Sequence, residues 1–238
     1  MMNTPTVVLV HGAFADAGSW SGVIAELQSH GVPVVAPPNP LRGLAADADY
    51  IASVAARIDG PVVLVGHSYG GALITVAGAA ENVVGLVYVA AYVLEEGESL
   101  GELQGRFPAS PLGSSLEQWT YPGPDGAPAV EVTIAEDAFP EVFAADVPRD
   151  VTRVLAVAQR PLAAAAFEET ATAAAWRTTP AWALVAGADR AINPEVQRFA
   201  AKRAGATVVE IEGASHAVAV SRPKDVADLI REAVRATG

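Results

Sequence analysis

The sequence predicts an α/β domain built on a mainly parallel sheet with helices on both faces. Three observations carry that prediction. Short apolar and β-branched runs recur, and their lack of polar alternation fits strands buried on both faces. Helical stretches separate them, and an alternating strand–helix order implies a parallel sheet. The candidate chemical residues fall just beyond the ends of these runs, where open α/β sheets place ligands.

Residues 6–10 form the first run and end in His11-Gly12. A helical pattern over residues 21–30 follows, with Ser19 as candidate N-cap and Gly31 as the stop. Residues 32–36 are the second strand, closed by Pro37-Pro38, and residues 44–59 read as a helix ended by Gly60. Residues 61–65 are the third strand, residues 72–80 lie on its following helix, and residues 84–91 are the fourth strand. The pattern changes between Tyr92 and about Ala175: Gly, Pro and Ser dominate up to Pro128, and residues 150–175 are alanine-rich with a helical pattern. A structureless loop of that length does not suit a compact domain, so a mostly helical insertion over one end of the sheet is expected. The alternation resumes with strands at residues 181–186 and 207–211 and helices at residues 194–204 and 225–235. The expected division is a core of residues 1–92 and 176–238 and a cap, or lid, of residues 93–175.

The 238 residues, 51% of them hydrophobic, suit one domain with a sizeable core. A formal net charge of -12 and a pI of about 4.7 leave no basic patch for nucleic acid or an anionic membrane. The chain has no cysteine, which excludes disulfides, thiolate metal sites and a cysteine nucleophile. Met1-Met2-Asn3-Thr4-Pro5 carries no charge, and the run at residues 7–10 is too short for a signal core or membrane span. A soluble, cytoplasmic protein is expected, with monomer and homodimer both open.

Gly66-His67-Ser68-Tyr69-Gly70 is a G-x-S-x-G placed where a buried strand becomes a helix. In that context a sharp turn holds the serine in a strained conformation and lifts its hydroxyl above the sheet edge. The bland alternative is a glycine-rich turn with an idle serine. A serine nucleophile needs a base. Of the four histidines, His30 sits at a helix end, His67 is turned away from Ser68 by the elbow, and His11 lies at the end of the first strand. His216, in Gly213-Ala214-Ser215-His216 just past the last strand, is the candidate base. Asp189, past the strand at residues 181–186, is the candidate acid that orients it; an N-cap or an ion pair with Arg190 is its structural alternative, and Glu95 and Glu96 are rival acids. The order Ser68, Asp189, His216 is that of the nucleophile-elbow fold. Oxyanion donors are expected from the backbone N–H of Tyr69 and of Ala13, with Phe14 as the alternative to Ala13.

His11-Gly12-Ala13-Phe14 with Gly18-Ser19-Trp20, Gly66-His67-Ser68-Tyr69-Gly70-Gly71, Asp189 and Gly213-Ala214-Ser215-His216 resemble the α/β-hydrolase superfamily. Within it the chain is similar to the small serine esterases of the methyl-ester esterase and hydroxynitrile lyase group. The resemblance implies a mainly parallel sheet under a helical cap and no cofactor or metal. Members of the family often begin with an extra antiparallel hairpin; this chain starts on the run at residues 6–10, so six strands are expected. Related lyases carry a lysine beside the catalytic histidine where this chain has Ala217, and Ser68 stands where epoxide hydrolases and dehalogenases have an aspartate. The activity implied is hydrolysis of a small-molecule carboxylic ester. Cofactor-free perhydrolysis or haloperoxidase chemistry, and a ligand-binding receptor of the same fold, are the alternatives. Phe14, Trp20, His11, Trp119 and Phe143 are the candidate substrate-binding residues, since aromatic side chains near the site would make the pocket apolar.

Overall fold

The computed structural model describes residues 4–123 and 126–238. Met1 to Asn3, which open the uncharged leading segment, and Pro124 and Asp125 of the expected insertion lie outside the described residues. The chain runs β1 (Thr6–Val10), α1 (Ser21–Ser29), β2 (Val34–Val35), α2 (Leu44–Ala55), β3 (Val62–His67), α3 (Tyr69–Ala77) and β4 (Val83–Val89). Next come α4 (Leu100–Gln104), β5 (Leu116–Pro122), β6 (Pro128–Ile134), α5 (Phe139–Val142), α6 (Arg149–Val157) and β7 (Leu162–Ala163). The last part is β8 (Ala181–Ala186), α7 (Pro194–Arg203), β9 (Thr207–Ile211), α8 (Val218–Ser221) and α9 (Pro223–Thr237).

Six strands form the main sheet in the order β2-β1-β3-β4-β8-β9, and every neighbouring pair is parallel. Because strand side chains alternate faces, each uniform apolar run feeds two cores. Val8, Val10, Leu64, Leu86 and Tyr88 pack with α2 and α3 on one face. Val7, Leu9, Val63, Val65, Val87 and Val89 pack with α1, α9 and Trp20 on the other.

The structure departs from the sequence reading at four places. The second strand is two residues long, Val34–Val35, and pairs only with β1 at the sheet edge. The helix expected to 59 stops at Ala55, ahead of a turn that reaches Gly60 at φ +102°. Ser19 is not the cap of α1: a 3-10 turn, Ala17–Trp20, precedes that helix, and its cap is Asp16, whose side chain accepts from Gly18 N–H.

The fourth departure is the segment between β4 and β8, which is not mostly helical. It holds a three-stranded antiparallel sheet, β5-β6-β7. Its strands carry Glu117, Gln118, Thr120, Glu131 and Thr133, so they lack the apolar run that marks the main sheet. The alanine-rich part forms α6, then β7 and 3-10 turns at Ala164–Phe167 and Ala175–Arg177, because Pro161 cannot continue a helix. Backbone bonds tie this segment to the C-terminal edge of the main sheet: Phe14 N–H to Arg160 O at 3.1 Å, Ala163 N–H to Leu41 O at 3.0 Å and Ala217 N–H to Phe143 O at 2.9 Å. Among the described residues, no helix is long and apolar enough to cross a membrane.

Candidate active site

Ser68 stands between β3 and α3 at φ +55° and ψ -121°, a left-handed conformation that costs a non-glycine residue about 1–3 kcal/mol. Its backbone is held by Ser68 N–H to Val89 O at 3.2 Å and by Gly71 N–H and Tyr92 N–H to its carbonyl at 3.0 and 3.2 Å. Two of the motif's glycines are required by close approach. A Cβ on Gly66 would lie 2.4 Å from Gly70 O, and one on Gly70 would lie 2.4 Å from Val10 O. Both neighbours are backbone atoms and cannot step aside.

His216 Nδ1 lies 2.6 Å from Asp189 Oδ2, and both side chains are buried. A carboxylate only accepts, so Nδ1 carries the proton and Nε2 is left as the basic ring atom. Asp189 Oδ1 accepts from Ala191 N–H at 2.7 Å and Ile192 N–H at 2.9 Å, so the turn after β8 fixes the carboxylate. Arg190 does not pair with Asp189; its partner is Glu141. Oδ2 also accepts from Gln197 Nε2 at 2.7 Å. Gln197 Oε1 takes Ala186 N–H at 3.0 Å, which fixes the amide's orientation. Sequence reading missed Gln197. Its signal was a polar residue among Val196, Ala200 and Ala201 on the buried face of α7.

Ser68 and His216 line one small cavity of about 10 Å³, together with Ala13, Phe14, Tyr69 and Tyr92. That is about the room of one water molecule. Among the described residues no hydrogen bond joins Ser68 Oγ to His216; such contacts are often long without substrate and tighten on binding. Ala13 and Tyr69 have no acceptor for their backbone N–H groups among the described residues, whereas Phe14 N–H is already given to Arg160 O. Asp47 is a second residue missed in the sequence. It lies on the buried stripe of α2 and accepts from Tyr69 OH at 2.9 Å and from Arg42 N–H at 3.0 Å. Burial raises its carboxyl, and the Arg42, Tyr69 and Gly43 donors pull against that shift.

The remaining candidates fall in different places. His11 is fully buried behind the loop and does not reach the cavity. Its Nε2 accepts from Asn39 N–H at 2.9 Å, so its Nδ1 donates to Gly12 O at 2.8 Å. Burial pushes its pKa down to about 4. His67 donates from Nε2 to His216 O at 2.9 Å, and burial, followed by the nearby His216, lowers it to about 3. Trp20 is in the core against His67. Trp119 is 55% exposed on β5, bonds Thr133 and does not line the cavity. Phe143 packs edge-on against His216 at 4.8 Å and against Phe14 at 6.5 Å. Glu95 is ion-paired with Arg177 at 2.9 Å, which holds its carboxyl below the usual range.

The model of the alpha/beta hydrolase family matches residues 7–229. A probable hydrolase, R7, of Phoma sp. (strain ATCC 20986 / MF5453) is 36% identical over 120 residues; the match covers 44% of this chain, and the chain spans about half, 49%, of that relative's length. Polyneuridine aldehyde esterase superposes with a TM-score of 0.83 at 21% identity, over 97% of this chain and 99% of that one. A pyrethroid hydrolase from Sphingobium faniae JZ-2 gives 0.77 at 22%, covering 98% of each chain. Tomato methylketone synthase I, complexed with 2-tridecanone, gives 0.79 at 20%, covering 100% of each. At such identities the structural likeness establishes the fold, and the match to the family model along nearly the whole chain settles its kinship: the chain belongs to the alpha/beta hydrolase family.

Proposed function

We propose that this chain is a serine hydrolase that cleaves carboxylic esters of small to medium, largely apolar substrates through an acyl-enzyme on Ser68. The reading is carried by one arrangement: the 2.6 Å pair of His216 Nδ1 and Asp189 Oδ2, beside a serine held at φ +55°. His216 Nε2 takes the Ser68 proton as Oγ attacks the ester carbonyl. The tetrahedral oxyanion is held by the N–H groups of Tyr69 and Ala13, both unpartnered among the described residues. The carbon–oxygen bond then breaks, the protonated His216 gives its proton to the departing alkoxide, and the alcohol leaves. Water, deprotonated by His216, releases the acid and restores Ser68. Asp189 keeps the imidazole in one tautomer throughout. His11 and His67 are uncharged at neutral pH with their protons committed to backbone carbonyls, so neither competes as base.

The esterase and pyrethroid hydrolase among the similar structures support an ester substrate, and the ketone held by methylketone synthase I supports an apolar one. Treatment with phenylmethylsulfonyl fluoride tests the nucleophile. The expected product is a single adduct on the peptide that contains Ser68, with none in Ser68→Ala. An adduct on another residue, or an equal yield in the variant, contradicts the assignment.

A further inference from the structure

The cavity at Ser68 is too small to hold an ester, yet a second, largely apolar space of about 300 Å³ lies immediately beside it. That volume is near the lower end, roughly 300 Å³, of the range for small-ligand sites. It is a groove between the loop after β1, α6 and α8, walled by Phe14, His67, Phe143, Leu155, Ala217 and Val220. Phe14 lines both spaces, and it meets Phe143, which lines the groove, edge to face. Phe14 is also one of four non-glycine residues with positive φ among the described residues, at +62°.

The position of the groove relative to His216 says which arm of an ester it would take. In the reaction proposed above, the leaving oxygen receives its proton from His216, so the alcohol arm extends past the imidazole. The acyl arm stays beside Ser68, among Leu100, Leu112, Leu162 and Phe167 in the small cavity. The groove lies on the imidazole's side: Ala217 follows His216 in the chain, and the rings of His67 and Phe143 lie 4.7 and 4.8 Å from it. Val154, 63% exposed on α6, leaves the rim of the groove apolar, and Asp16 on the opposite rim disfavours an anionic arm. We infer that the groove binds the alcohol arm of the substrate, so that the preferred esters join a short acyl group to a bulky, uncharged, apolar alcohol. This inference rests on the esterase reading. It requires Phe14, which lines both, to turn aside so that the two spaces join.

Hexyl acetate and ethyl hexanoate are isomers that differ only in which arm is long, which makes them the natural test pair. The wild type is expected to favour hexyl acetate at least tenfold in kcat/KM. Val220→Trp, which fills the groove, is expected to lower that ratio tenfold, and so is Ala158→Trp on its exposed rim, which serves if the first variant fails to fold. Equal rates for the isomers, preference for ethyl hexanoate, or a ratio unmoved by a folded groove variant overturns the inference. If neither ester is cleaved in a Ser68-dependent way, the esterase reading fails separately. Calorimetric titration with hexanol then decides the groove. Binding that weakens fivefold or more in the groove variants supports the site; no binding, or binding unchanged in the variants, overturns it.

Discussion

Asp189 Oδ2 takes two N–H groups, one from His216 and one from Gln197, at 2.6 and 2.7 Å. Gln197 therefore acts on the imidazole through the carboxylate, as a positioning residue. Removing it as Gln197→Leu takes a donor from the carboxylate and leaves Asp189 a stronger partner for the imidazolium. Gln197→Glu, buried against Asp189, is held protonated by the neighbouring carboxylate and keeps the donor. Gln197→Leu should therefore move the acidic limb of the kcat/KM profile to higher pH, and Gln197→Glu should leave it near the wild-type position. A packing role alone would lower the melting temperature and leave that limb where it was. Titrating kcat/KM from pH 4 to 9 for the wild type and both variants separates the two outcomes.

Between elements, the bond from Tyr69 OH to Asp47 joins the first turn of α3 to the buried stripe of α2, directly behind the proposed oxyanion donor. Tyr69→Phe keeps the backbone N–H but leaves a buried carboxylate one donor short, which should cost about 1–3 kcal/mol of stability in urea unfolding. An unchanged midpoint would show the bond to be idle. The same elements show what a sequence reveals. Strands β1 and β8 were legible because uniform apolar runs have few other uses, and β9 by its β-branched Thr207, Val208, Val209 and Ile211 despite Glu210; the meeting of Ser68, Asp189 and His216 at one edge follows from their places just past parallel strands. The β5–β6 hairpin was hidden because its half-exposed strands alternate with polar residues and its Pro and Gly read as loop. Gln197 and Asp47 were hidden for another reason. A polar residue on a helix reads as solvent-facing until the fold supplies its partners. Ala13 was the expected donor with Phe14 as its alternative, and nothing in the sequence showed that Arg160 O, from the insertion, would take Phe14 N–H.

At the scale of the molecule, the four non-glycine residues with positive φ among the described residues, Phe14, Leu41, Ser68 and Ala90, all follow the C-terminal ends of β1 to β4. Strain is thus gathered at the edge that carries the site, and the two cores beneath it must hold it. The same edge buries two neutral histidines, which ties global stability to pH. Burial lowers His11 to about 4 and His67 to about 3, against 6.5 when unfolded. The unfolded chain therefore binds more protons in this window, and stability present above about pH 6.5 is lost as pH falls toward 4 and 3, by on the order of 2–4 kcal/mol per histidine. Urea midpoints from pH 7 to 4 should fall, and less steeply in His67→Gln; an equal slope in that variant would assign the loss elsewhere. Whether Ser68 carries turnover is decided by hydrolysis of p-nitrophenyl esters, acetate through decanoate, with wild type and Ser68→Ala prepared in parallel. Turnover by the wild type is expected, with a loss of at least a thousandfold in a folded variant, of the order seen when a triad member is removed. Comparable hydrolysis by both proteins would show that Ser68 is not the nucleophile.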